Sequence, residues 1–92
     1  MSSQINHDAA SGRFTTERDG HQAELVYRRQ EGRLIIDHTG VPQAIGGQGV
    51  AGELVKAALD YARASGLRVV PACSYSAAYI QRHPEYADLV DG

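Results

Sequence analysis

Val41-Pro42-Gln43-Ala44-Ile45-Gly46-Gly47-Gln48-Gly49-Val50-Ala51-Gly52 stands between an apolar, strand-like run, Leu34-Ile35-Ile36, and an amphipathic helix pattern. Strand, glycine-rich turn and helix start, in that order, make an anion site. Glycines let the main chain approach a ligand closely. The first turn of a helix leaves N–H groups without intrahelical partners, and its dipole favours negative charge. A pyrophosphate suits such a turn. Spacing narrows the choice. A nucleotide P-loop requires Lys and then Ser or Thr after its second glycine, and no Lys follows here. Gly47-Gln48-Gly49-Val50-Ala51-Gly52 does match the G-x-G-x-x-G of dinucleotide folds. That fingerprint, however, opens the first βαβ unit and precedes a strand ending in an acid roughly 20 residues on. Here two strand-like segments come before the third that leads into the turn, and Gly66-Leu67-Arg68-Val69-Val70-Pro71 ends without an acid.

Outward from the turn, Val50, Ala51, Leu54, Val55, Ala58, Leu59 and Ala62 form one apolar stripe, which predicts a helix over about residues 47–65. Gly66 stands where a left-handed C-terminal residue is expected. Residues 67–71 read as a short buried strand stopped by Pro71. Ser74 is placed to N-cap a second helix over about residues 75–82, which His83-Pro84 ends. Upstream, residues 13–18, 21–29 and 33–39 read as strands, separated by Asp19-Gly20 and Glu31-Gly32. Ala23, Leu25 and Tyr27 alternate onto one face of the second of these, and Leu34, Ile36 and His38 share a face of the third. The fold class is α/β: an antiparallel three-stranded meander, then a βαβ crossover and a short C-terminal helix. Residues 1–12, rich in Ser, Asn, Gly and Ala, read as a disordered leader, and residues 13–92 as one domain. Leu25, Tyr27, Ile35, Ile36, Val50, Leu54, Leu59, Leu67, Val69 and Ile80 are the expected core.

Composition excludes several classes. A net charge of −2, from nine basic and eleven acidic residues, argues against a nucleic-acid or anionic-membrane surface as the main partner. No apolar run approaches the roughly 18–20 residues of a membrane span. One cysteine, Cys73, precludes an internal disulfide and fits a reducing, cytoplasmic setting. His7, His21, His38 and His83 lack the paired spacing of a zinc motif, so no metal is expected.

Four blocks of sequence carry a resemblance. His38-Thr39-Gly40-Val41-Pro42, Gly47-Gln48-Gly49-Val50-Ala51, Val70-Pro71-Ala72-Cys73-Ser74-Tyr75, and Tyr79-Ile80-Gln81-Arg82-His83-Pro84-Glu85-Tyr86 resemble the GNAT superfamily of N-acetyltransferases, in particular its minimal single-domain subfamily. The likeness covers roughly residues 13–90. It implies a truncated GNAT-like fold that binds acetyl-CoA and transfers acetyl to an amine acceptor that the sequence does not identify. An acyl-Cys73 route is open, and the alternative is a CoA-binding sensor or interaction module without turnover. The implied cofactor contacts are Val41, Gly46, Gly47, Gln48, Gly49, Val50, Ala51, Gly52, Ser74 and Tyr79. Two departures are visible. The superfamily's leading Gln or Arg of the loop falls on Gly46, and its tyrosine acid on the last helix falls on Gln81. The helices that shape the acceptor site are replaced by Asp19-Gly20 alone, so the acceptor side is open or completed by another molecule. The sequence does not give the oligomeric state.

Acetyl transfer needs an oriented thioester, donors for the developing oxyanion, a deprotonated acceptor and an acid for the thiolate. Cys73 lies immediately past a splayed strand and ahead of a helix start, a position that lowers a thiol's pKa. In the resembling subfamily the corresponding cysteine is a suspected nucleophile. His38 ends the third strand beside the turn and could act as its base. Each has a plainer reading as well: a cysteine packs as a small hydrophobe, and a strand histidine serves as a structural hydrogen-bonder. Tyr75 and Tyr79, four residues apart, pack as a pair or supply an acid.

Overall fold

The computed structural model describes residues 4–90. One mixed sheet runs in the order β1 (Ile5–Asp8), β2 (Arg13–Arg18), β3 (His21–Gln30), β4 (Arg33–Gly40), β5 (Arg68–Pro71). The first four strands pair antiparallel and β5 lies parallel to β4. Between β4 and β5 come one 3-10 turn, Gln43–Ile45, and helix α1, Val50–Ala64. After β5 come α2, Ser74–Arg82, and a 3-10 segment, Pro84–Leu89. The fold is therefore the expected α/β crossover attached to an antiparallel meander.

Alternation decides which face is covered. Phe14 and Thr16, then Ala23, Leu25 and Tyr27, then Leu34 and Ile36 are buried, while their neighbours along each strand are not. The buried set meets Val50, Leu54, Val55, Ala58, Leu59 and Ala62 of α1, the predicted stripe save for the half-buried Ala51. Ile80 of α2 and Tyr86 and Leu89 of the last segment close the same core. Both helices thus lie on one side of the sheet. Asp19 and Gly20 both have positive φ, which identifies the tight two-residue hairpin turn that their sequence predicts.

Several expectations are corrected. Part of the expected disordered leader is a strand: Ile5–Asp8 pairs with β2, so the meander has four strands. It is anchored by side chains on distant elements. His7 stacks on Phe14 at 4.0 Å between ring centroids, its Nε2 is 2.5 Å from the Tyr27 hydroxyl, and Thr16 donates to the Gln4 carbonyl. Residues 1–3 of that leader, and 91–92 of the expected domain, lie outside the described residues. Helix α1 begins at Val50, not near residue 47, because Gly47 and Gly49 both have positive φ and end the loop in a left-handed turn. The N-cap of α2 is Cys73, with Ser74 its first residue. Ile35, expected in the core, is only half-buried, because it points to the uncovered face of β4.

The largest correction concerns His38. Tyr27 pairs with Ile36 but Val26 pairs with His38, so Asp37 is an extra residue in β4. A bulge of this kind breaks the two-residue period. Leu34 and Ile36 stay on the core face, His38 moves to the open face, and Thr39 takes the core-facing position opposite Leu25.

Candidate functional site

The site lies where β4 and β5 part. Their pairing ends at Ile36 and Pro71, but β4 runs on to Gly40. The Cys73 amide still donates to the Ile36 carbonyl at 2.9 Å. Beyond it, among the described residues, no strand pairs with Asp37–Gly40 on the β5 side. The sheet therefore opens into a wedge directed at the glycine loop. Ile45, fully buried, anchors the loop in the core through its single 3-10 turn.

From Gly46 onward the loop is exposed. Among the described residues the amides of Gly47, Gln48, Gly49, Val50, Ala51 and Gly52 donate to no backbone carbonyl, whereas Gly46 donates to Gln43 and Glu53 to Gly49. Six consecutive donors are thus available at the start of a helix, as pyrophosphate capture requires. Beside them is a cleft of about 310 Å³ lined by Val41, Ile45, Gly46, Gly47, Gly49, Val50, Ala51 and Tyr75. A larger hollow among the described residues, about 390 Å³, lies at the other end of the sheet between the turn at residues 9–12 and the end of β3. It lacks this run of donors. Its arginines are engaged, Arg28 with Asp37 at 2.7 Å and Arg29 with the Tyr61 hydroxyl at 2.7 Å.

The other expected site residues are distributed as follows. Gly52 is the second residue after Val50 in α1, and a Cβ there would touch the Tyr75 hydroxyl and the Tyr79 ring at 3.4 Å. It is the point where the two helices approach. Tyr79 stacks on His83 at 3.9 Å, and His83 Nδ1 is bonded to the Tyr79 carbonyl. Ser74 is exposed, and Tyr75, the next residue, forms the cleft wall. Gln48 reaches back to the β2–β3 turn, where its amide donates to Asp19 at 3.4 Å.

Cys73 is half-buried against the core, with its sulfur 3.7 Å from Thr39 Oγ1. Burial pushes the thiol up. The Ser76 amide, the Thr39 hydroxyl, the Tyr75 amide and the Ser76 hydroxyl outweigh burial, and the thiol is held below its ordinary value. His38 is exposed on the opposite face of β4, its Nε2 lying over Gly40, where a Cβ would come within 2.9 Å. The expected Cys73–His38 pair is therefore not assembled. Thr39, which sequence reasoning missed, takes the place beside the sulfur. The bulge that puts it there depends on pairing with β3 and leaves no mark in the local pattern. Among the described residues no cluster of His, Cys, Asp and Glu fits a metal ion, and no helix is long and apolar enough to cross a membrane.

The model of the GCN5-related N-acetyl-transferase family matches residues 13–89. Protein NATD1 of Gallus gallus is 34% identical over 84 residues, covering 88% of this chain and 76% of that protein. Protein NATD1 of Homo sapiens is 34% identical over 83 residues, covering 87% and 74%. The NMR structure of a GCN5-like protein from Staphylococcus aureus superposes with a TM-score of 0.75 at 31% identity, covering 97% of this chain and 88% of that one. Wedge, glycine loop and crossover helix are thus features of a GNAT-like fold, and the chain belongs to the GCN5-related N-acetyl-transferase family.

Proposed function

We propose that the protein is an acetyl-CoA-dependent N-acetyltransferase acting on an amine in the cytoplasm. The observation that carries this reading is the run of six available amides, Gly47 to Gly52, at the mouth of the β4–β5 wedge. Those donors fit the pyrophosphate of CoA, with Val41, Gly46 and Tyr75 on the walls of the same cleft. Ser74 and Tyr79 are the further contacts proposed on α2. When bound, acetyl-CoA supplies an acetyl group on a thioester. The amides of β4 beyond Ile36 polarise a carbonyl placed along that free edge. On the open face, the exposed His38 is the base proposed to take a proton from an approaching amine. On the core face, the depressed pKa of Cys73 raises the share of thiolate above the few per cent of an ordinary thiol at neutral pH. That thiolate supports the route in which Cys73 carries the acetyl group before the amine takes it. Because His38 and Cys73 face opposite sides of β4, they belong to alternative routes: His38 to direct transfer onto the amine, and Cys73, with Thr39 beside its sulfur, to the acyl-cysteine route.

A second reading, a CoA-binding module without turnover, is favoured by one observation. Gln81 is exposed on α2 where the wider superfamily has its tyrosine acid, and a glutamine cannot protonate a thiolate. The Tyr75 hydroxyl on the cleft wall is the candidate replacement. The two readings separate when the protein is incubated with acetyl-CoA and a panel of primary amines while free CoA is quantified by chromatography. Amine-dependent CoA release that falls sharply in His38→Ala supports the transferase. CoA bound stoichiometrically with no release above buffer supports the module.

A further inference from the structure

We propose that Arg18 is a positioning residue of the phosphate-binding loop: it grips the loop from the β2–β3 turn and cancels the Glu53 carboxylate that would otherwise repel the ligand. This inference rests on the reading of the loop as the CoA site. Residues 46–53 contain one ionisable side chain, Glu53, and no cation. A carboxylate in the first helical turn gains from the dipole, but it disfavours a pyrophosphate at the same helix start by like-charge repulsion. The chain answers from another element. Arg18, the last residue of β2, donates from Nη2 to Glu53 Oε2 at 2.9 Å and from Nη1 to the Gln48 carbonyl at 3.4 Å. Its side chain is 23% exposed, so this pair is screened less than one fully in solvent.

The same turn holds the loop a second time. Asp19 accepts from the Gln48 side chain, so main chain and side chain of one loop residue are both tied to the hairpin. Asp19 is itself an anion, and the neighbouring Lys56 is engaged with Asp60 at 2.9 Å. Arg18 is therefore the cation that offsets Glu53, one of the two carboxylates beside the loop. The superfamily's loop side chain is a glycine here, Gly46, and the hairpin supplies the polar support that this position lacks.

Calorimetry of CoA binding to wild type, Arg18→Ala, Glu53→Gln and the double variant tests the assignment, with thermal melts to confirm folding. Arg18→Ala is expected to weaken CoA about tenfold near 50 mM salt, and by less as salt rises. The double variant is expected to recover most of that loss. Glu53→Gln alone is expected to bind CoA about threefold more tightly than wild type. This single variant keeps the test decisive even where Arg18→Ala does not fold. An Arg18→Ala affinity equal to wild type, a folded double variant no tighter than Arg18→Ala, or a Glu53→Gln variant weaker than wild type overturns the inference alone. Wild-type protein that binds no CoA overturns the cofactor reading and this inference with it.

Discussion

At one end of the sheet, around Tyr27 and Tyr61, rings and hydrogen bonds fill the space between strands and helix; at the other, around Gly40 and Gly49, main-chain amides among the described residues donate to no backbone carbonyl. The closed end brings together His7, Phe14, Tyr27 and Tyr61 with centroids 4.0–6.1 Å apart, and Arg29 lies over the Tyr61 ring. No buried side-chain polar atom among the described residues lacks a partner. The open end withholds its backbone hydrogen bonds: six amides in the loop and one edge of β4. In a small domain the first arrangement holds the fold and the second leaves a place for a ligand. Variants at the two ends are therefore expected to separate stability from binding.

The largest effect is expected at the closed end. Tyr27 is 3% exposed and touches three other rings, so Tyr27→Ala should remove about 3–5 kcal/mol, much of a small domain's total stability. Urea unfolding reads this directly, and a loss below about 1 kcal/mol would show that the cluster is ornamental. At the open end, Gly49 has φ of 77° with nothing within 4 Å of an added Cβ. Space is not the obstacle, but a β-branched residue at positive φ is strained by about 1–3 kcal/mol. Gly49→Val should weaken CoA about tenfold or more while costing less stability than Tyr27→Ala, whereas Gly49→Asn, which tolerates that conformation, should bind nearly as wild type. Equal affinity in both would remove the loop from the site.

Core and wedge meet at Thr39. Thr39→Val deletes a hydroxyl that holds down the Cys73 pKa. Alkylation of the thiol near pH 7 should slow several-fold and its pH profile should move upward; Thr39→Ser should restore both. An unmoved profile would leave the Ser76 and Tyr75 amides and the Ser76 hydroxyl as the causes. The smallest effect is expected at His7. Burial lowers its pKa from 6.5, and Asp8 only partly offsets this. The folded state therefore prefers the neutral ring, and its contribution is complete above about pH 6.5 and declines as pH falls through the lower folded value. Melting temperature should drop between pH 7.5 and 5, less steeply in His7→Gln. Identical slopes would show that His7 does not anchor β1 through its neutral form.

Much of this architecture is legible in sequence. Asp19-Gly20 and the alternation of Ala23, Leu25 and Tyr27 give the hairpin, because local sterics and a period of two are written in neighbouring residues. The stripe from Val50 to Ala62 gives the helix for the same reason. What escaped depends on partners far along the chain. Strand β1 is polar by composition and becomes a strand through Tyr27, twenty residues from His7. The bulge at Asp37 arises from pairing with β3, and one extra residue there exchanges Thr39 for His38 on the core face. Gly52 looks like a loop glycine and is a contact between helices. The amide run and Cys73 were legible because glycine spacing and a helix start are local; the companion of Cys73 was not.

The proposed function stands on the amides of Gly47 to Gly52 as the donors that bind the pyrophosphate of CoA. Titration of CoA into uniformly ¹⁵N-labelled protein, followed by amide chemical shifts, tests it most directly. The largest saturable shifts are expected on Gly47 through Gly52, with smaller ones at Thr39 and Tyr75, while amides of the closed end such as Phe14 and Arg29 stay in place. Saturable shifts centred on the turn at residues 9–12 and the end of β3, or no shifts at millimolar CoA, would contradict it.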